Sequence, residues 1–157
     1  MPSRVLVAIR VRASRERAFE AFTREIAEWW RPNGLFSFTQ QDTPSLTFEP
    51  GVGGRLLMLR GDGAEFEIGR IKTWNPPSEL AFSWRQESFA PEQQTEVIVR
   101  FEAAGEETRV SVEHLGWDGI PREHVARHRF PLDVFQLRHA EWWQALLKAF
   151  QERAVQR

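Results

Sequence analysis

Two consecutive prolines, Pro76 and Pro77, interrupt a segment that otherwise has the pattern of β-structure. Each proline lacks a backbone N–H group and holds φ near about −65°, so a strand cannot continue through both of them. Residues 80–84 (LAFSW) then resume an alternation in which every second side chain is large and apolar. The sequence therefore predicts a hairpin with the Pro-Pro pair at its corner, and so an antiparallel sheet.

Other short strands are predicted on both sides of this hairpin. Turn residues separate six strand-like segments, at 45–49, 55–60, 65–74, 80–86, 95–102 and 108–115. Residues 4–12 form an earlier strand, because Val5, Val7, Ile9 and Val11 recur with a period of two. In segment 65–74 the apolar positions change parity at Gly69, which predicts a bulge that bends the sheet.

Helical patterns lie near both ends of the chain. Ser14 stands where a helix N-cap is favoured, and Phe19, Phe22, Ile26 and Trp29 follow at helical spacing, with an interruption expected near Thr23. A longer helix is predicted from Leu137 to Ala154, where one face carries an apolar stripe: Ala140, Trp142, Trp143, Leu146, Leu147, Phe150 and Ala154. This face requires a second layer, and the concave side of the sheet can supply it.

The ordered set of segments resembles the family of activator of heat-shock protein 90 ATPase homologues. The resemblance rests on residues 11–23, the tryptophan pair 29–30, the glycine-rich hairpin 50–55, the Pro-Pro corner with its Leu-x-Phe-x-Trp strand, and the strands 94–102 and 107–117. That family belongs to the START-related, Bet v 1-like helix-grip superfamily (SRPBCC). The resemblance implies an α+β fold in which a curved antiparallel sheet of about seven strands wraps around a long C-terminal helix, with one or two short helices after the first strand. It also implies a cavity between the sheet and that helix.

Composition narrows the functional classes. The 157 residues contain no cysteine, which excludes disulfides and thiolate metal sites. A formal net charge of −1, with both signs scattered, argues against a nucleic-acid-binding surface. We expect a single domain over residues 1–157 and, since neither a leader nor a membrane-spanning run is present, a cytoplasmic location. The 12 Phe and 7 Trp residues can line a broad apolar surface, whereas the absence of Tyr removes phenol chemistry.

His114 is the sharpest polar candidate in the sequence. It shares parity with Val110 and Val112, so the alternation of the last strand points it into the interior. A buried polar group without a partner costs about 1–3 kcal/mol, so His114 needs a hydrogen-bond partner, a water or a ligand. Two interpretations remain open, a satisfied structural histidine and a polar contact inside a binding pocket.

The remaining candidates are apolar side chains that suit a core and a pocket wall equally well. With His114, the predicted ligand-binding residues are Trp30, Phe66, Phe82, Trp84, Phe101, Phe135, Trp143 and Leu147. No catalytic residue is assigned, because neither a nucleophile motif nor a paired-carboxylate motif is visible.

Two motifs have a functional and a structural interpretation, and the structural one is favoured for both. His124 and His128 have the i, i+4 spacing of a metal-binding pair, but no third ligand accompanies them. The glycine-rich run 50–54 is followed by a strand pattern, whereas a phosphate loop opens a helix. No metal and no cofactor is predicted.

Three functions remain in competition. The first is the binding of a small, mostly apolar or aromatic molecule in the cavity. The second is a cyclase- or dehydratase-type enzyme that uses the same cavity, with His114 as the acid–base group. The third is a protein-interaction module, a homodimer or the partner of a chaperone-like protein, that uses Trp29, Trp117 or Trp142 if these are exposed.

Overall fold

A computed structural model of the chain describes residues 4–30, 45–59, 65–85, 94–116 and 132–155. The described strands are β1 (Arg4–Val11), β2 (Ser45–Phe48), β3 (Arg55–Leu59), β4 (Glu65–Asn75), β5 (Glu79–Trp84), β6 (Thr95–Ala104) and β7 (Glu107–Leu115). The described helices are α1 (Arg15–Thr23), α2 (Ile26–Trp29) and α3 (Leu132–Ala154). Every predicted strand is present, with ends that differ by two residues at most.

The strands form one antiparallel sheet in the order β1-β7-β6-β5-β4-β3-β2. All neighbours except β1 and β7 are consecutive in the chain, as short turns between strands require. The Pro-Pro corner joins β4 to β5, and the Ser78 N–H donates to the carbonyl oxygen of Asn75 at 2.8 Å. The predicted hairpin is therefore confirmed, and it lies in the middle of the sheet.

The predicted bulge in β4 is also confirmed. Leu56 of β3 is opposite Gly69, but the next residue, Leu57, is opposite Glu67, so Ile68 is the extra residue. A Cβ atom at position 69 would lie 1.6 Å from the carbonyl oxygen of Ser83, so only glycine fits where β5 approaches. At the bulge, the apolar face of β4 changes from even-numbered residues such as Ile68 to odd-numbered residues such as Ile71.

The first two helices follow the predicted pattern. The Ser14 hydroxyl accepts the Arg17 N–H at 3.1 Å and so caps α1. The helix stops at Thr23, and α2 begins at Ile26, which confirms the predicted interruption. Phe19, Phe22, Ile26 and Trp29 are all buried.

Helix α3 begins five residues earlier than predicted. The prediction placed its start at Leu137, which is 63% exposed and belongs to no apolar stripe. The helix instead begins directly after the Pro131 position, where proline is well tolerated because the first N–H groups of a helix need no intrahelical partner. From Trp142 onwards the predicted stripe is buried, and α3 packs against β1, α1 and α2.

The core lies between α3 and the inner face of the curved sheet. Its largest fully buried side chains are mostly aromatic: Trp29, Trp84, Trp143, Phe22, Phe82, Phe101 and Phe150. Among the described residues, no helix is both long enough and apolar enough to cross a membrane.

Candidate functional site

His114 lies near the end of β7, in the centre of a three-strand row. Val5 of β1 and Val97 of β6 are its cross-strand neighbours. Its side chain is completely buried, in the orientation that strand alternation predicts. Here the sheet therefore presents a polar ring to the core.

Within the described part of the chain, three side chains form hydrogen bonds with the His114 ring. The Thr95 hydroxyl oxygen lies 2.7 Å from Nε2, and His139 Nε2 lies 2.8 Å from Nδ1. The indole N–H of Trp143 donates to the same Nδ1 at 3.1 Å. We call Thr95, His114, His139 and Trp143 the histidine cluster; it joins β6, β7 and α3.

The cluster determines the tautomer of His114. An indole nitrogen can only donate, so Nδ1 of His114 must be an acceptor and its proton is on Nε2. Nε2–H then donates to the Thr95 oxygen, and the Thr95 hydroxyl donates to the carbonyl oxygen of Trp84 at 2.9 Å. His139 Nε2 must also carry hydrogen, since it faces a nitrogen that accepts.

Both histidines are electrically neutral at pH 7. Burial away from water lowers the pKa of His114 to about 3. Burial also lowers the pKa of His139 well below its usual range, and the adjacent His114 ring lowers it further. The cluster can therefore donate and accept hydrogen bonds, but it is a weak base as long as it stays dry.

Aromatic rings enclose the two imidazoles. Trp84 meets His114 edge to face, with ring centroids 5.1 Å apart, and Trp142 lies 5.2 Å from His139. The two imidazole rings themselves are 4.7 Å apart. The result is a small polar group inside an aromatic wall, the combination typical of sites that bind apolar molecules and orient them.

The structure brings four of the predicted site residues together. Trp84, His114 and Trp143 meet in and around the cluster, and Trp30 packs edge to face on Trp143 with centroids 5.5 Å apart. All four side chains are buried.

Other predicted site residues lie apart from this group. Phe82 packs against Phe48, with centroids 5.2 Å apart, and Phe101 packs against Phe19 of α1 at the same distance. Leu147 is buried in the core, and Phe66 is half-buried. The backbone of Phe135 belongs to α3, but its side chain lies outside the described part of the chain.

Sequence reasoning missed Thr95 and His139. A usable signal existed for His139, which stands three and four residues before Trp142 and Trp143 and so lies on their helix face. Thr95 gave no comparable signal, because its role depends on facing Trp84 across the β5–β6 pair.

The candidate metal pair His124 and His128 lies outside the described residues. In the described ranges, no group of three His, Cys, Asp or Glu side chains could hold a metal ion.

The glycine-rich run 50–54 is a turn between strands. It joins β2 to β3, and Gly51 and Gly53 have φ values of 93° and 86°. No helix begins there, so the phosphate-loop interpretation is excluded by the geometry.

A curved antiparallel sheet that grips a long C-terminal helix defines the helix-grip class of START-like (SRPBCC) proteins. Within that class, the sequence profile of the Activator of Hsp90 ATPase homolog 1-like protein family matches residues 12–154. The chain belongs to this family, whose members generally bind small ligands.

Solved structures agree with this assignment. A protein from Mesorhizobium loti is 16% identical, with a TM-score of 0.66 over 96% of both chains, and so supports the fold alone. An anthrahydroquino-gamma-pyrone synthase, Txn09, is 29% identical, with a TM-score of 0.58 over 96% of both chains. The self-sacrificing resistance protein CalC from Micromonospora echinospora is 28% identical, with a TM-score of 0.61 over 96% of this chain and 93% of that one. No curated protein sequence gives a significant match.

Proposed function

We propose that this protein binds a small, mostly apolar or aromatic molecule beside the histidine cluster, between the sheet and α3. Trp30, Phe66, Trp84, His114 and Trp143 are the ligand-facing candidates. The single observation that carries the proposal is the histidine cluster itself, a fully buried hydrogen-bonded group in aromatic surroundings. In a core, a fully hydrogen-bonded polar group favours one arrangement of the surrounding side chains. In a pocket, such a group orients the ligand.

Two relatives above 25% identity support the same class of function. One is named an anthrahydroquino-gamma-pyrone synthase and the other a self-sacrificing resistance protein. From these relatives we transfer to this protein only the binding of a large aromatic or apolar compound.

A thermal-shift screen tests the proposal. The panel contains fatty acids, sterols, polyaromatics, flavonoids and polyketide-like compounds, and it follows denaturing mass spectrometry of the purified protein for co-purified molecules. A ligand at 100 times its Kd adds about 2.7 kcal/mol to the free energy of unfolding, which raises the Tm by roughly 5–10 °C for this chain length.

Two variants locate the site. Trp84→Phe reshapes the wall beside His114, so it should reduce the ligand-induced shift. Phe150→Leu is the control: Phe150 packs on Phe22 and Trp29, so it should lower the Tm without ligand but preserve the shift. A panel without any shift, together with no co-purified compound, contradicts the proposal.

A cyclase- or dehydratase-type enzyme is the second candidate. The 29% identity to a named synthase favours it, as does the pair of adjoining histidines, where His114 would be the acid–base group. A polar substrate in contact with the cluster would offset part of the desolvation of His114. The low pKa of His114 would then rise towards the range in which an imidazole acts as an acid–base catalyst.

Turnover of aromatic polyketide substrates by wild type and His114→Gln separates the two candidates. An enzyme should lose most of its turnover in the variant while binding persists. A folded His114→Gln protein with undiminished turnover contradicts the acid–base role.

The interaction hypothesis has lost most of its basis. It required exposed tryptophans, but Trp29 is 1% and Trp142 is 3% exposed. Both rings are packed in the core, so neither can serve as a binding hot spot. Trp117 lies outside the described residues.

A further inference from the structure

Arg85 differs from most arginines of the described residues in its partners. Eight arginines form ion pairs with carboxylates of described residues: Arg10, Arg12, Arg17, Arg55, Arg70, Arg100, Arg109 and Arg153. In the same part of the chain, Arg15 donates to the Ser78 hydroxyl and Arg24 is exposed. Arg85 is half-buried and takes part in none of these ion pairs.

An aromatic ring, rather than a carboxylate, contacts the Arg85 guanidinium. Its Cζ atom lies 5.5 Å from the centroid of the Phe66 ring, within the range of a cation–π contact. Its Nε atom is buried, and no acceptor among the described residues bonds to it. The Arg85 backbone N–H donates to the carbonyl oxygen of Ile68 at 2.9 Å, so the backbone of Arg85 is held against β4.

The Phe66 ring lies on the inner side of the sheet. Phe66 is opposite Met58, which is in turn opposite Leu46, and the latter two side chains are buried in the core. Cross-strand partners share a face, so the Phe66 ring is on the core side, and the Arg85 guanidinium contacts that ring. Arg85 directly follows Trp84, whose ring contacts His114.

A partly desolvated guanidinium without an anion is unfavourable, and a stacked aromatic ring compensates for only part of that cost. A cation–π contact uses none of the guanidinium N–H groups as hydrogen-bond donors to a carboxylate, and those groups match the two oxygens of a carboxylate. Among the described residues, the Arg85 guanidinium thus has no anionic partner, and it lies against the aromatic ring of Phe66.

We propose that Arg85, supported by Phe66, binds a carboxylate group of the ligand, and that the ligand is therefore an aromatic or apolar acid. This inference rests on the proposed function, and it adds the chemical class of the molecule. The aromatic or aliphatic body of the ligand lies towards Trp84 and the histidine cluster, and its carboxylate pairs with the guanidinium.

Matched acids and amides test the proposal on the wild-type protein. The probes are anthracene-2-carboxylic acid with anthracene-2-carboxamide, and decanoic acid with decanamide, with Kd values measured by calorimetry at pH 7.5. Each pair has nearly the same shape and differs in charge. We expect at least one acid to bind about tenfold or more tightly than its amide, the range of a hydrogen bond between charged groups.

Variants of Arg85 assign the preference to this residue. Arg85→Gln should remove the preference for the acid while leaving the affinity for the amide unchanged within about twofold. Arg85→Lys retains the charge but loses the planar fork, so it should keep a smaller preference. Arg70→Gln is the control, because Arg70 is a 62% exposed arginine paired with Glu67 on β4, and it should retain the full preference.

The outcomes separate this inference from the function on which it rests. Equal affinities for acid and amide, or an acid preference that Arg85→Gln leaves intact, overturn the role of Arg85 although the pocket itself stands. Binding of neither acids nor amides, together with a flat thermal-shift panel, overturns both. If Arg85→Gln does not fold, the wild-type comparison and Arg85→Lys still decide the question.

Discussion

Thr95 connects a strand carbonyl to the histidine cluster through one hydroxyl group. Its oxygen lies 2.9 Å from the Trp84 carbonyl oxygen, to which it donates, and 2.7 Å from His114 Nε2, from which it accepts. Because Thr95 is buried, water cannot replace either hydrogen bond without reorganisation. One hydroxyl therefore orients the imidazole on which the candidate site depends.

Removing this hydroxyl should destabilise the fold. Thr95→Val preserves the side-chain shape but leaves the His114 N–H and the Trp84 carbonyl without their partner, so we expect a loss of about 1–3 kcal/mol in the free energy of unfolding. Urea denaturation at pH 7.5 measures it. Thr95→Ser retains the hydroxyl and loses a methyl group, so it should lose clearly less; equal losses in the two variants would contradict the hydrogen-bond argument.

Ion pairs and hydrogen bonds connect the C-terminal end of α3 to the first two helices. Arg17 of α1 donates to the carbonyl oxygens of Arg153 and Ala154 at 3.2 and 3.0 Å. Both arginines also bond to the Glu25 carboxylate, which stands between α1 and α2. Carbonyls at the end of a helix lack intrahelical donors, so Arg17 satisfies two of them directly.

Glu25→Gln should loosen this connection. Hydrogen bonds from Arg17, followed by those from Arg153, lower the pKa of Glu25 to about 2, so the ionised form stabilises the fold. That contribution is complete above the unfolded pKa of about 4.5 and is lost as the pH falls towards 2. We expect a loss of about 1.5–3 kcal/mol at pH 7, measured by urea denaturation.

Two controls accompany this variant. Glu49→Gln breaks a pair in which both side chains are 40% exposed, and it should have a much smaller effect. In an Arg17→Gln background, Glu25→Gln should lose much of its effect, since one of the two arginine partners of Glu25 is already absent. An undiminished loss there would contradict the proposed coupling.

The bulge in β4 needs a residue without a side chain. In Gly69→Ala the new Cβ would stand 1.6 Å from the Ser83 carbonyl oxygen, so β4 and β5 must separate. We expect a loss of more than about 2 kcal/mol in urea denaturation, or failure to fold. Gly53→Ala is the control: position 53 has open space but a φ of 86°, so only about 1–2 kcal/mol of backbone strain is expected. Comparable losses would show that the close approach is unimportant.

The stability of the molecule as a whole should depend on pH through its two buried histidines. The folded-state pKa of His114 is about 3 and that of His139 is also far below 6.5, so the unfolded chain binds more protons between these limits. The free energy of unfolding should therefore be highest above pH 6.5 and fall as the pH drops. The slope for each histidine is at most about 1.4 kcal/mol per pH unit.

Urea denaturation at pH 7.5, 6 and 5 measures this slope. The pH range from 7.5 to 5 lies above the pKa values of Glu25 in the folded and unfolded states, so the Glu25 carboxylate contributes little to this slope. His139→Gln removes one of the two groups and should reduce the slope between pH 6 and 5. A slope that is unchanged in the variant would mean that His139 is not responsible.

Secondary structure followed from patterns within short segments. The period of two in β1, the Pro-Pro corner, the parity change at Gly69 and the Ser14 cap each depend on residues that are close in the chain. The start of α3 was wrong by five residues, because apolar periodicity marks the buried part of a helix and not its exposed first turns.

The site followed from the sequence only in part. The inward direction of His114 was predictable from strand parity, but its partners Thr95, His139 and Trp143 are 19, 25 and 29 residues away. Arg85 also gave no signal, since charged residues on strands are usually solvated.

The sequence by itself determined the elements and their order, because strand and helix periodicities are local and the turn residues are specific. Its resemblance to a known family implied the helix-grip class. Only the tertiary structure decided which side chains meet. Register between β5, β6 and β7, and the rotation of α3 over them, bring Thr95, His114 and His139 into one hydrogen-bonded group. Such contacts depend on packing between distant segments, and a one-residue change of register would have pointed His114 to the opposite face of the sheet.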